Sequence, residues 1–189
     1  KYVADLGFRP AVNGFNVPNY GSTLADGSAV TNMTPAEMRR LFGDRVCASV
    51  ADGRCHLTPP AQKWMEATNK EMTGGHCEGF AALSLLFYTG QLKTTDFGGA
   101  NAHALPLRNE RLQREIALWW ATQAVNPTAN PGTTRRMGPN QVVDALTAAF
   151  KAGVSGETYT LGIYQRSGEG GHAILPYAIE ERGNNIVWI

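Results

Sequence analysis

The chain is 189 residues long, 43% hydrophobic and 17% charged, with a formal net charge of +1. That length builds one domain of ordinary size with a substantial core, and the composition is that of a globular protein. The small net charge gives no reason to expect a nucleic-acid partner or an anionic membrane surface. The longest apolar run, Phe80 to Tyr88, is interrupted by Ser84 and falls short of the roughly 18 residues of a membrane span. No signal peptide is visible, and Lys1 in place of an initiator methionine points to a start set by processing or by a sequence boundary.

Residues 1 to 32 carry little periodicity and much Gly, Asn and Pro, including Asn13-Gly14 and Pro18-Asn19. They read as a loop-rich leader that wraps the body, anchored by Phe8, Phe15, Val17 and Tyr20. Thr34-Pro35-Ala36-Glu37 is a helix start: a threonine cap, proline at the first helical position and a glutamate completing a capping box. Met38, Leu41 and Phe42 form the apolar side of this helix, and Gly43 ends it. A loop carrying Cys47 and Cys55 follows, with a turn at Asp52-Gly53. Thr58-Pro59 then opens a helix through Ala61, Trp64, Met65 and Thr68 that fades near Met72.

Cys77 to Tyr88 is predicted as a third helix, apolar around most of its circumference and therefore buried at the centre. Lys93 to Pro106 reads as irregular. Arg108 to Val125 is the longest helical pattern, and Asn126 to Pro139 is a proline-bearing loop between a mainly helical part, residues 1–125, and a second part, residues 139–189. That second part opens with an amphipathic helix from Pro139 to Ala152. Glu157 to Gln165 and Gly171 to Glu181 alternate as strands about a glycine-rich turn, and Gly183-Asn184-Asn185 turns into Ile186 to Ile189. Helices first and then an antiparallel meander give an α+β class, in one domain over 1–189.

The three cysteines divide unevenly. Cys47 and Cys55 flank a short polar stretch, and a bridge between them is worth about 2.5 kcal/mol through loop closure. Three reduced thiols, two of them packed, is the competing reading. With the bridge formed, Cys77 is left over, which suggests an oxidising compartment and a free reactive thiol. Cys77 stands in Gly74-Gly75-His76-Cys77-Glu78-Gly79, where the glycines allow a sharp turn and a helix begins. Unpaired N–H groups and the positive end of the helix dipole there favour thiolate over thiol. Near the far end of the chain, Gly170-Gly171-His172-Ala173 places a histidine at the start of a strand, on one face with Ile174, Pro176 and Ala178. Taken singly these are a packed helix cysteine and a satisfied strand histidine. Taken together they supply a thiolate nucleophile and its general base.

Gly75-His76-Cys77-Glu78-Gly79-Phe80 followed by Gly171-His172-Ala173 in a strand resembles the papain-like cysteine peptidases, in organisation over Met72 to Ile189. The likeness is closer to secreted bacterial members, because the Cys-Gly-Ser-Cys-Trp signature of the plant and lysosomal enzymes is absent. It implies peptide hydrolysis through a thioacyl intermediate on Cys77, with His172 as base and acid, a peptide or protein substrate and no cofactor. It implies oxyanion donors as well. One is the Cys77 N–H. The glutamine that such enzymes carry six residues earlier is here Glu71, so the second donor is assigned to Asn69, with Thr73 and Gln123 as rivals. A base-orienting Asn or Asp is expected on the strand after that of His172, but Ile186 to Ile189 holds none and Asn184 and Asn185 read as turn residues. A second chain parted by cleavage, held to this one and supplying that residue, is the expectation; a truncated sequence is the simpler alternative. His76 reads as a pocket or structural residue, His56 and His103 sit in loops, and a zinc site from His76, Cys77 and His172 lacks paired ligand spacing. Other thiol acyl-transfer enzymes (an amidase, a cell-wall peptidase, a transglutaminase) use the same machinery, and a non-catalytic binding module is the contrasting class.

Overall fold

Local capping chemistry places the helices. The computed structural model describes residues 1–130, 137–167, 170–184 and 186–189. After a single helical turn, α1 (Pro10–Asn13), helix α2 covers Pro35–Phe42. Its capping box is complete: the Ala36 N–H donates to Thr34 Oγ1 and the Glu37 carboxylate accepts from the Thr34 N–H at 2.9 Å. Helix α3 is Pro59–Glu71, α4 is Cys77–Tyr88, and α5 is Glu110–Ala121, where Asn109 Oδ1 caps the Leu112 N–H. Helix α6 is Pro139–Ala152. Helix α5 is shorter than its pattern suggested, since its last turn tightens into a 3₁₀ turn over Thr122–Ala124. The 93–106 stretch holds two further 3₁₀ turns.

Helix α4 is central because two cores meet on it. Leu85 packs with Leu6, Phe8, Leu146, Phe150 and Ile179, while Leu83 packs with Tyr20, Phe97, Leu105, Leu112 and Ile116. A third core of Met33, Met38, Met65, Met72, Ala117 and Ala121 joins α2 and α3 to the far side of α5. Gly79 permits the α4–α5 contact. A Cβ there would stand 2.1 Å from the Ile116 carbonyl oxygen. Arg40 locks α2 to α5 through a two-pronged pair with buried Glu115, at 2.7 and 2.9 Å.

The strands depart further from expectation. The leader is less irregular than its composition implied: β1 (Tyr2–Asp5) pairs antiparallel with β6 (Ala178–Glu181), Tyr2 opposite Glu180. Phe8 and Tyr20 anchor it, both almost fully buried. The Cys47–Cys55 loop is a hairpin of β2 (Cys47–Ala51) and β3 (Arg54–Leu57), turning at Asp52-Gly53 with positive φ at both residues. The strand expected over 157–165 is only β4, Leu161–Tyr164. The single strand expected over 171–181 is two: β5 (Gly171–Ile174) pairs with β4, whereas β6 joins β1 and the short β7 (Val187–Trp188). Pro176 lies at the break and has no N–H to carry a ladder across it. His172 therefore shares its strand face with Ile174 alone, not with Pro176 and Ala178. The class is α+β, with small antiparallel sheets in place of one meander. Among the described residues no helix is long and apolar enough to cross a membrane.

The Tyr20 hydroxyl is buried without a hydrogen-bond partner among the described residues. Burial raises its pKa well above the ordinary tyrosine range. An unsatisfied buried hydroxyl costs free energy. Tyr20→Phe is expected to raise stability by about 1 kcal/mol, read as a higher midpoint in urea; a lower midpoint would show that the hydroxyl is satisfied.

Candidate active site

Three distant segments converge on the start of α4. Cys77 is the first residue of that helix, half-buried and free of any disulfide. The first helical N–H groups have no partner inside the helix, so they face whatever approaches the thiol. The turn before it ends at Gly75, with φ +131, and the leader crosses directly above. Asn19 Oδ1 accepts the His76 N–H at 2.6 Å. The His76 ring is fully buried, with Nδ1 2.9 Å from the Tyr20 carbonyl and Nε2 2.8 Å from Asn32 Oδ1. Gly75 is required for this approach, since a Cβ on it would lie 2.4 Å from Asn19 Nδ2. Both ring nitrogens of His76 are thus occupied, and it cannot ligate zinc alongside Cys77. Burial lowers its pKa, against a smaller upward pull from the Tyr20 carbonyl.

Strand β5 supplies the opposite wall, where His172 stands across from Ile163 of β4. Cys77, His172 and Ala173 line both halves of one cleft. The first half, about 360 Å³, is apolar, walled by Phe8, Phe15, Val17, Phe80, Leu175 and Tyr177, with Asn19 also lining it. The second, about 340 Å³, is polar and contains Glu78, Trp120, Gln123, Thr160 and Tyr164. Burial pushes the Glu78 carboxyl above the usual range, and its hydrogen bond from Thr160 Oγ1 at 3.0 Å only partly opposes this.

The structure brings Cys77 and His172 to the same cleft and leaves Asn69 out of it. The Asn69 amide donates to the Met33 carbonyl at 2.9 Å and accepts from the Met33 N–H at 3.1 Å. Its assignment as oxyanion donor is corrected accordingly: both ends of the side chain are held by the Met33 backbone, away from the residues that line the cleft. Thr73 donates to the Lys70 carbonyl, and Gln123, which does line the polar half, donates to the Trp120 carbonyl. The amide near Cys77 is Asn19. Its oxygen is held by the His76 N–H, and Nδ2 makes no hydrogen bond among the described residues. In the sequence Asn19 falls within the loop-rich leader, and nothing local ties position 19 to position 77.

Cys47 and Cys55 form a disulfide with Cα atoms 5.3 Å apart, remote from the cleft on the β2–β3 hairpin. No side chain among the described residues hydrogen-bonds the His172 ring. Asn184 adopts positive φ as a turn residue, and Asn185 lies outside the described residues. The chain matches no known family model, no curated protein and no solved structure. Its chemistry is therefore argued from the cleft itself.

Proposed function

We propose that the protein is a papain-like cysteine peptidase of a secreted bacterial type. One observation carries the reading: a free thiol at the N-terminus of a buried helix lines the same cleft as a strand histidine from the far end of the chain. A disulfide coexisting with a free thiol, the pattern of an oxidising compartment, supports it. In this reading Cys77 Sγ attacks a peptide carbonyl while His172 takes the thiol proton and returns it to the leaving amine. The Cys77 N–H and Asn19 Nδ2 donate to the oxyanion that forms, and water then resolves the thioacyl intermediate.

Iodoacetamide should label one thiol per chain at neutral pH, and Cys77→Ala should abolish both labelling and peptide hydrolysis. His172→Ala should slow hydrolysis about 1,000-fold. Asn19→Ala should lower kcat about 100-fold with little change in KM. An inert Cys77 would favour a binding module, and turnover only with an added amine acceptor would favour a transglutaminase.

A further inference from the structure

The polar half of the cleft contains a carboxyl that the proposed mechanism does not use. An acidic residue in the first turn of a helix ordinarily points to solvent, where the helix dipole favours its charge. Glu78 instead lines the cavity, half-buried, with a single hydrogen bond from Thr160 and no ion pair among the described residues. Removing a carboxylate from water without a cation is unfavourable, and a cationic ligand would relieve that cost. Two aromatic side chains, Trp120 and Tyr164, line the same space, and such faces attract ammonium and guanidinium groups. Gln123 and Asn130 also line it, and their side-chain oxygens can accept hydrogen bonds. No lysine or arginine lines it among the described residues.

We propose that this half of the cleft is a recognition pocket for a lysine or arginine side chain of a peptide substrate, with Glu78 as counter-ion and Trp120 and Tyr164 as walls. The inference rests on the peptidase reading for the nature of the ligand. The upward pull of burial on the Glu78 carboxyl agrees with it, since such a group gains most when a cation arrives. The apolar half opposite would take a bulky hydrophobic residue of the same peptide, so the substrate carries grease on one side of the reacting carbonyl and charge on the other.

Binding to the Cys77→Ala variant separates recognition from catalysis. The probes are blocked alanine-based hexapeptides with one lysine or, at the same position, one norleucine, moved along the peptide. At the best position the lysine peptide should bind at least tenfold more tightly by calorimetry. Glu78→Gln in the same background, which keeps the shape and the Thr160 contact, should bring that ratio to about one while unfolding at the parent temperature. Equal affinities, no measurable binding of either peptide, or a preference that survives Glu78→Gln would overturn the proposal. Hydrolysis by the unmodified chain is scored separately: a protein that binds the lysine peptide but cleaves nothing sinks the peptidase and supports the pocket.

Discussion

Gly79→Ala is expected to destabilise the chain by about 3 kcal/mol, although it adds only one methyl group. On an exposed helix the same change would gain about 1 kcal/mol in propensity. Here the new Cβ would meet the Ile116 carbonyl oxygen at 2.1 Å and Ile116 Cγ2 at 3.0 Å. An ordinary contact needs about 3.5 Å or more, so α4 and α5 must separate by over an ångström. A backbone carbonyl cannot swing aside as a side-chain tip would. Separation loosens the Leu83–Leu112–Ile116 core, and it shifts Cys77, which lies less than a turn away on the same helix. Thermal unfolding should show a midpoint lowered by roughly 10 °C, with slower iodoacetamide labelling in parallel. An unchanged or raised midpoint would mean that the two helices are not in backbone contact.

His76→Ala should cost a similar amount, about 3 kcal/mol, by leaving a cavity and orphaning the polar groups around it. The ring is fully buried, lies tilted against Tyr20 at 4.6 Å between centroids, and joins two points of the leader, Tyr20 and Asn32, to the turn before Cys77. The Tyr20 carbonyl can only accept, so in the neutral ring it takes the Nδ1 proton. Charging the ring would put a cation out of reach of water.

The sign of the pH effect follows. The native pKa lies below the ordinary value of 6.5, with burial as the main cause. Below that pH the unfolded chain binds a proton that the native chain resists, so stability present above about pH 6.5 is lost as the pH falls. Urea midpoints at pH 7.5 and pH 5 should differ more for the unaltered protein than for His76→Gln. Equal differences would mean that some other group carries the acid sensitivity.

The sequence made the helices legible because their signals are short-range. Thr34, Pro35 and Glu37 encode the start of α2 within four residues, and the glycines before Cys77 mark the start of α4 just as locally. The strands needed partners that no local window contains. Tyr2–Asp5 is a strand because Ala178–Glu181 lies beside it, and alternation over 171–181 outweighed the proline that splits the stretch between two sheets. The candidate site divides in the same way. Cys77 and His172 each sit in a glycine-rich motif that is legible locally, and both line one cleft. Asn69 is near Cys77 only along the chain, whereas Asn19 comes to the same cleft through a crossing of the leader that Gly75 allows.

The pairing of Tyr2 with Glu180 spans nearly the whole polypeptide. Closing so large a loop is entropically unfavourable and comes after local structure in folding. The helix bearing the sulfur and the β4–β5 hairpin bearing His172 each form from nearby contacts, whereas β1 must wait for β6. A half-made chain thus holds Cys77 before His172 exists to face it.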